Sequence, residues 1–326
     1  KDNVMFLYEF IHTVNLNKVD DLEQFIGKSR EIDYILVLIL SLIISGNNSS
    51  LILGPLRSSG IMRGFFASIF VASFISLGFI LEGEKMLISI SIITFGNIVP
   101  LYILVSTLII FILFSIFSVP LSAGMVFSGA LMGFALYYKT LNVFIWIIFL
   151  SWIVSFLISI LISYYIYKKF SKRRRNILNS KYSIIFFIFS SAMLSYSLGA
   201  NTFGFLYAID RGFSSFIAII LGVFIGTIFF NYITYSTVKK SIVRLTRERA
   251  IVTNFSSFFV LESFTQFHLP VSITQNVIGS LVGTGISKGY NELNLRKVNQ
   301  LIFSWAVTPL ISAIFVMVMI RISLIL

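Results

Sequence analysis

Cysteine is absent from the 326 residues, which excludes disulfides, thiolate zinc sites, iron–sulfur clusters and thiol catalysis. Histidine is nearly absent: His12 and His268 are too few for a histidine-based metal cage. Charge is scarce as well. Asp, Glu, Lys and Arg make up 12% of the chain, about half the share of an average soluble domain. Apolar residues are in surplus at 57%, and the mean hydropathy is +0.94. That balance excludes a water-soluble globule, and it excludes disorder, which needs low hydrophobicity. The class that remains is an all-α polytopic membrane protein.

Because charges are rare, the gaps between them map the membrane. A helix crosses the hydrocarbon in about 20 residues. The gaps predict ten segments, roughly 34–56, 63–82, 86–115, 120–137, 143–167, 182–200, 212–237, 250–268, 270–287 and 298–320. The uncharged run 86–138 is too long for one span. Gly96-Asn97, Pro100 and Pro120 punctuate it, so it reads as a span followed by a broken or re-entrant segment. Runs such as Ile145-Trp146-Ile147-Ile148-Phe149-Leu150 lack the alternation of a β-barrel strand.

Lysine and arginine orient the segments. The linker 168–181 carries seven basic residues, and the loop 239–249 carries five. Ten single crossings put both on one side, with Arg57, Arg63, Lys288, Arg296 and Lys297. That side is expected to be the cytoplasm, with both termini outside. The net charge of +12 is then mostly a topology signal rather than a nucleic-acid surface. Residues 1–33 hold seven of the thirteen acidic residues and read as an extramembrane or interfacial arm. Val4-Met5-Phe6-Leu7 is too short for a signal peptide, and a chain beginning at Lys1 is open to an upstream segment.

The chain also repeats itself. Gly46-Asn47-Asn48-Ser49 is followed 153 residues later by Gly199-Ala200-Asn201-Thr202. Ser118-Val119-Pro120-Leu121-Ser122 returns 150 residues later as His268-Leu269-Pro270-Val271-Ser272. Gly129 and Gly133 match Gly279 and Gly283, and Trp152 matches Trp305. Residues 34–167 and 182–326 thus form two repeats of about five segments each. An odd number of crossings makes the second half enter from the opposite side, giving an inverted-topology repeat of the kind common in secondary transporters. Asn, Gly and Pro within the spans mark expected helix breaks. Broken helices are tolerable in lipid only where the freed backbone lines a cavity or meets protein.

At these residues the chain resembles the inorganic phosphate transporter (PiT) family of sodium- or proton-coupled phosphate permeases. That family carries Gly-Ala-Asn-Asp-Val-Ala-Asn in each half, and a later Leu-Pro-Val-Ser-Thr-Thr-His followed by spaced glycines. The counterparts here are Gly46–Ile52 and Gly199–Phe205, then Val119-Pro120-Leu121-Ser122 and Leu269–Gln275. The resemblance implies ion-coupled phosphate uptake by alternating access, in a homodimer. Three departures stand out. The family's aspartates are Ser49 and Thr202, its second asparagines are Ile52 and Phe205, and its histidine is Gln275. A hydroxyl cannot neutralise a cation, so the coupling ion stays open between sodium, placed near Asn48 and Asn201, and a proton.

Chemistry narrows the candidate site. Reversible phosphate binding suits backbone N–H groups, hydroxyls and amides better than a cage of arginines. Ser122, Ser272, Thr274, Gln275 and Asn276 supply such groups at expected helix starts, and Asn48, Ser49, Asn201 and Thr202 at the other breaks. The alternative for each is a cap on a break or a bond across helices. Glu262 is the one carboxylate placed inside a span, and it is the candidate proton carrier; a packed, hydrogen-bonded Glu is the other reading. No cofactor is expected. No carboxylate pair, Walker loop or Gly-x-Ser-x-Gly elbow lies in the spans, so an enzyme is not expected. Sulfate or another small anion is the alternative cargo, and a non-transporting scaffold or receptor the alternative class.

Overall fold

The computed structural model describes residues 19–94, 100–116, 122–171, 181–230, 246–289 and 293–323. Pro120 and its neighbours, Gly96-Asn97, the basic cluster 172–175, most of the 239–249 loop and residues 1–18 lie outside the described residues. Helix is the only regular structure among the described residues. In chain order the helices are α1 (Val19–Ser58), α2 (Gly64–Glu82), α3 (Leu87–Thr94), α4 (Pro100–Ile116), α5 (Ala123–Tyr137) and α6 (Val143–Ser171). There follow α7 (Lys181–Leu198), α8 (Gly204–Ile209), α9 (Phe213–Phe229), α10 (Arg247–Gln266), α11 (Ile273–Ile286) and α12 (Leu295–Ser323).

Five helical stretches are long and apolar enough to cross a membrane: Ile32–Ser58, Gly64–Ile92, Val143–Lys169, Tyr182–Ile209 and Leu295–Ser323. The protein is a multi-pass membrane protein. Three boundaries differ from the charge-gap reading. The segment expected to begin at residue 86 has no separate start there, because a 3-10 turn at Gly83–Met86 continues α2 into α3. The helix of the first segment starts before the charge gap, since α1 runs from Val19 to Ser58, with its membrane-length apolar part at Ile32–Ser58.

The third difference lies at the first motif. A break is expected at Gly46-Asn47-Asn48, yet α1 passes through it as regular helix. Ser50 donates to the Asn47 carbonyl at 2.5 Å, so the polar side chains here bond inside the helix. Gly46 serves packing instead: a Cβ there would lie 2.9 Å from the Phe230 carbonyl oxygen. The equivalent stretch of the second half does depart from α-helix. Gly199–Phe203 forms a π-helical turn between α7 and α8.

Two helices define the centre. α5 and α11 have 15 and 14 residues, about 22 and 21 Å at 1.5 Å per residue. Both fall short of the roughly 30 Å hydrocarbon. Residues 123–135 and 273–285 are buried at every position, as befits helices enclosed by protein on all sides. α5 packs on α12, and α11 on α6. Glycine makes both approaches close. A Cβ on Gly133 would sit 2.2 Å from the Ala313 carbonyl, and one on Gly283 2.2 Å from that of Ile160. The outer helices also pair across the halves, α1 with α9 and α2 with α7. Within lipid no hydrophobic force drives helices together, so such backbone-to-backbone fit carries much of the packing energy.

Candidate substrate site between two half-length helices

Ser122 and Ser272 are the N-cap residues of α5 and α11, both with extended backbone. Their side chains meet: Ser122 Oγ donates to Ser272 Oγ at 2.7 Å. Ser272 Oγ in turn accepts from the Gln275 backbone N–H at 3.1 Å, closing the first turn of α11. Ser122 makes no such cap on its own helix. Two helix starts are therefore joined at their tips. Each carries N–H groups without intrahelical partners and about half a positive charge from its dipole. Together the tips present about one elementary positive charge without any ionised side chain.

The strand of chain leading into α11 is held from two sides. Asn201, in the π-helical turn, donates from Nδ2 to Thr265 Oγ1 at 2.9 Å and to the Leu269 carbonyl at 3.1 Å. Its Oδ1 accepts from the Val271 N–H at 3.1 Å. The Trp152 indole donates to the Pro270 carbonyl at 3.1 Å. The Gly-Ala-Asn and Leu-Pro-Val-Ser stretches of the second half thus meet physically, though 68 to 70 residues separate the bonded positions. Asn201 works here as a clamp on backbone.

The other expected site residues distribute as follows. Thr202, Thr274, Asn276, Asn48 and Ser49 are all buried. Ser49 Oγ and Asn276 Nδ2 have no hydrogen-bond partner among the described residues, while Asn276 Oδ1 accepts from Ser159 Oγ at 3.3 Å. Asn48 Oδ1 accepts from Asn47 Nδ2 at 3.5 Å. Asn48 and Ser49 lie on α1, which touches both α7 and α11. Gln275 contributes its backbone N–H to the cap and borders an apolar groove between α6 and α12, with its Oε1 buried. Among the described residues no group of three or more His, Asp or Glu could hold a metal ion.

A model of the phosphate transporter family matches residues 44–316. The chain belongs to that family. A putative phosphate permease of Methanocaldococcus jannaschii is 28% identical over 204 residues, 60% of this chain and 66% of that one. One of Pyrococcus abyssi is 36% identical over 98 residues, 29% of this chain and 24% of that one. The matched stretches thus span less than two thirds of these relatives. A solved structure described as the sodium-dependent phosphate transporter superposes with a TM-score of 0.71 at 19% identity. It covers 90% of this chain and 100% of that one, a likeness of fold. Family and solved neighbour are transporters, not enzymes.

In this member of the phosphate transporter family, acidity sits away from the motif positions. Glu262, on α10, accepts from Ser197 Oγ at 2.5 Å and from Gln266 Nε2 at 2.5 Å. The same Gln266 nitrogen donates to Glu82 Oε2 at 2.8 Å, so one amide bridges two carboxylates. Glu82 also accepts from Tyr196 OH at 2.7 Å and pairs with Lys85 at 2.6 Å. Sequence reasoning missed Glu82 because it closes α2 and reads as a boundary charge. Its partner lies 180 positions away, and a single sequence carries no signal for that pairing. His268 is structural: it ends α10 at φ 60°, its Nδ1 meets the Lys85 carbonyl at 3.0 Å, and its own carbonyl accepts from Ser89 Oγ.

Proposed function

We propose that the chain carries inorganic phosphate across the membrane as an ion-coupled secondary transporter. The observation that carries this reading is the 2.7 Å contact between Ser122 and Ser272, which joins the tips of two buried half-length helices. An anion there would meet unpaired N–H groups and two positive dipole ends. The hydroxyls of Ser122, Ser272 and Thr274 both donate and accept. That suits phosphate, which carries a proton to donate at neutral pH, over sulfate, which has none. Asn48, Ser49, Asn201, Thr202 and Asn276 complete the proposed surroundings, by contact or by holding the helix tips in place.

Alternating access between two inverted repeats belongs to the same proposal. Buried stretches 150 residues apart, and helices that pair across the halves, support it. The basic linker 168–181 is assigned to the cytoplasm and both termini to the outside, on the strength of the lysine and arginine count. A homodimer, implied by the family resemblance, completes the assembly. For the coupling ion we assign the proton to Glu262, because both motif aspartates are replaced by hydroxyls and Glu262 shares a bridging amide with Glu82.

Labelled phosphate uptake into proteoliposomes, with imposed proton or sodium gradients and sulfate as competitor, tests the reading. Phosphate flux driven by a proton gradient is expected, reduced at least tenfold in Ser122→Ala/Ser272→Ala. Stronger competition by sulfate than by phosphate itself moves the cargo to sulfate. Absence of flux under every gradient favours a scaffold.

A further inference from the structure

The 3-10 turn between α2 and α3 meets the far end of α10 in a seam that packing does little to hold. α10 packs chiefly on α7, α11 and α6, and its contact with the Gly83–Met86 turn is slight. Polar groups make the joint instead. Lys85 Nζ donates to Gln266 Oε1 at 2.6 Å, and Gln266 Nε2 donates to Glu82 Oε2 at 2.8 Å. His268 Nδ1 donates to the Lys85 carbonyl at 3.0 Å, and Ser89 Oγ donates to the His268 carbonyl. All of these bonds tie the first half of the chain to the second, across 179 to 184 positions. The Lys85 and Glu82 side chains are 32% and 21% exposed. Such a joint parts at small cost, because water can replace each bond as it breaks. His268 also holds a φ of 60°, a left-handed backbone that costs a residue with a Cβ and persists only where its surroundings fix it.

The seam lies at one face of the molecule. α2 and α10 have 19 and 20 residues, about 29 and 30 Å at 1.5 Å per residue. Both begin at basic residues, Arg63 and Arg247, so their far ends reach the side assigned above to the outside. Burial deepens residue by residue from there. Gln266 is exposed, His268 and Leu269 are half-buried, and Val271 and Ser272 are 1% and 2% exposed. The seam thus covers the approach to the Ser122–Ser272 junction, four residues beyond His268. The other half does not repeat it. At the offset of 150 that relates the two Pro-x-Ser motifs, Glu262 and Gln266 correspond to Ile112 and Ile116.

We propose that this seam is the outer gate of the substrate path. It is closed here, and it admits phosphate when the end of α10 and residues 267–272 part from the α2–α3 turn. Glu262 joins the seam through the Gln266 amide, which puts the proton carrier proposed above on the gate itself. The proposal rests on the alternating-access reading.

The chain has no cysteine, so one introduced thiol is the only one it carries. Thr274→Cys, in the first turn of α11, reports on the path by reacting with a charged, membrane-impermeant methanethiosulfonate. Rates are taken from outside in intact cells and from inside in inverted vesicles, each read on the purified full chain. Lys85→Met and Gln266→Leu are then added one at a time; each removes the Lys85–Gln266 bond. Labelling from outside is expected to quicken roughly tenfold, the loss of about one charge-assisted hydrogen bond from the closed state, with no rise from inside. Variants are compared only where the size-exclusion profile matches the parent, so either suffices if the other misfolds. An unchanged outside rate in a folded variant, a rise from both sides, or a rise from inside alone overturns the proposal. Phosphate flux of the unaltered chain is measured separately. Absent flux with the expected labelling counts against the transport reading alone, and normal flux with unchanged labelling against the gate alone.

Discussion

At the residue scale, the two serines at the helix tips are not equivalent. Ser272 both caps its own helix and accepts from Ser122, whereas Ser122 only donates across. Ser272→Ala removes a cap and is expected to cost about 1 kcal/mol, with Ser122→Ala costing less; melting temperatures in detergent check the order. Asn201 is the more demanding position. Asn201→Ala strands the buried Val271 N–H and the Leu269 carbonyl, each worth about 1–3 kcal/mol when left unpaired. A marked fall in melting temperature is expected, with uptake lost because α11 is no longer held at its start. If Asn201→Ala melts like wild type, the clamp has no energetic weight.

At the scale of elements, close approach decides. Gly133 and Gly283 each face a carbonyl that a Cβ would reach at 2.2 Å. Gly133→Ala and Gly283→Ala must push a half-length helix off its long neighbour, and each is expected to cost about 1–3 kcal/mol as overpacking. Gly212 is a control, with extended backbone and nothing within 4 Å of its missing Cβ; Gly212→Ala should stay within about 0.5 kcal/mol. The starts of α5 and α11 were legible in sequence, because a proline-serine pair before spaced glycines states both a helix start and a tight neighbour; the shortness of α11 was not, since 270–287 read as a full segment. Nor was the continuous path of α1 through Gly46-Asn47-Asn48. Helix propensity is a weak prior that tertiary context overrides, and the glycine there answers to Phe230 across a helix interface. Asn201 was a candidate site residue in the sequence; its grip on Thr265 and on the Leu269 and Val271 backbone was not legible there, because those partners lie 64 to 70 positions away. The carboxylate pair Glu82–Glu262 was hidden for a different reason: nothing local links residues on α2 and α10.

At the scale of the whole molecule, the coupling assignment has a clear signature. If Glu262 carries the driving proton, Glu262→Gln should leave phosphate exchange between equal pools intact while abolishing accumulation driven by a proton gradient. Net accumulation that persists undiminished in this variant would remove Glu262 from the mechanism. Glu82, tied to the same Gln266 amide, gives a second handle: Glu82→Gln should shift the pH profile of uptake in wild-type Glu262 background without abolishing it.

The meeting of the α5 and α11 tips has an electrostatic consequence for the empty carrier. Like ends of two dipoles face one another there, joined directly through one hydroxyl-to-hydroxyl bond and held in place by the packing of α5 on α12 and α11 on α6. Cargo is then also mortar, cancelling the repulsion it sits between. The protein is expected to melt at higher temperature as phosphate is added, and most easily to part its two halves when it carries nothing.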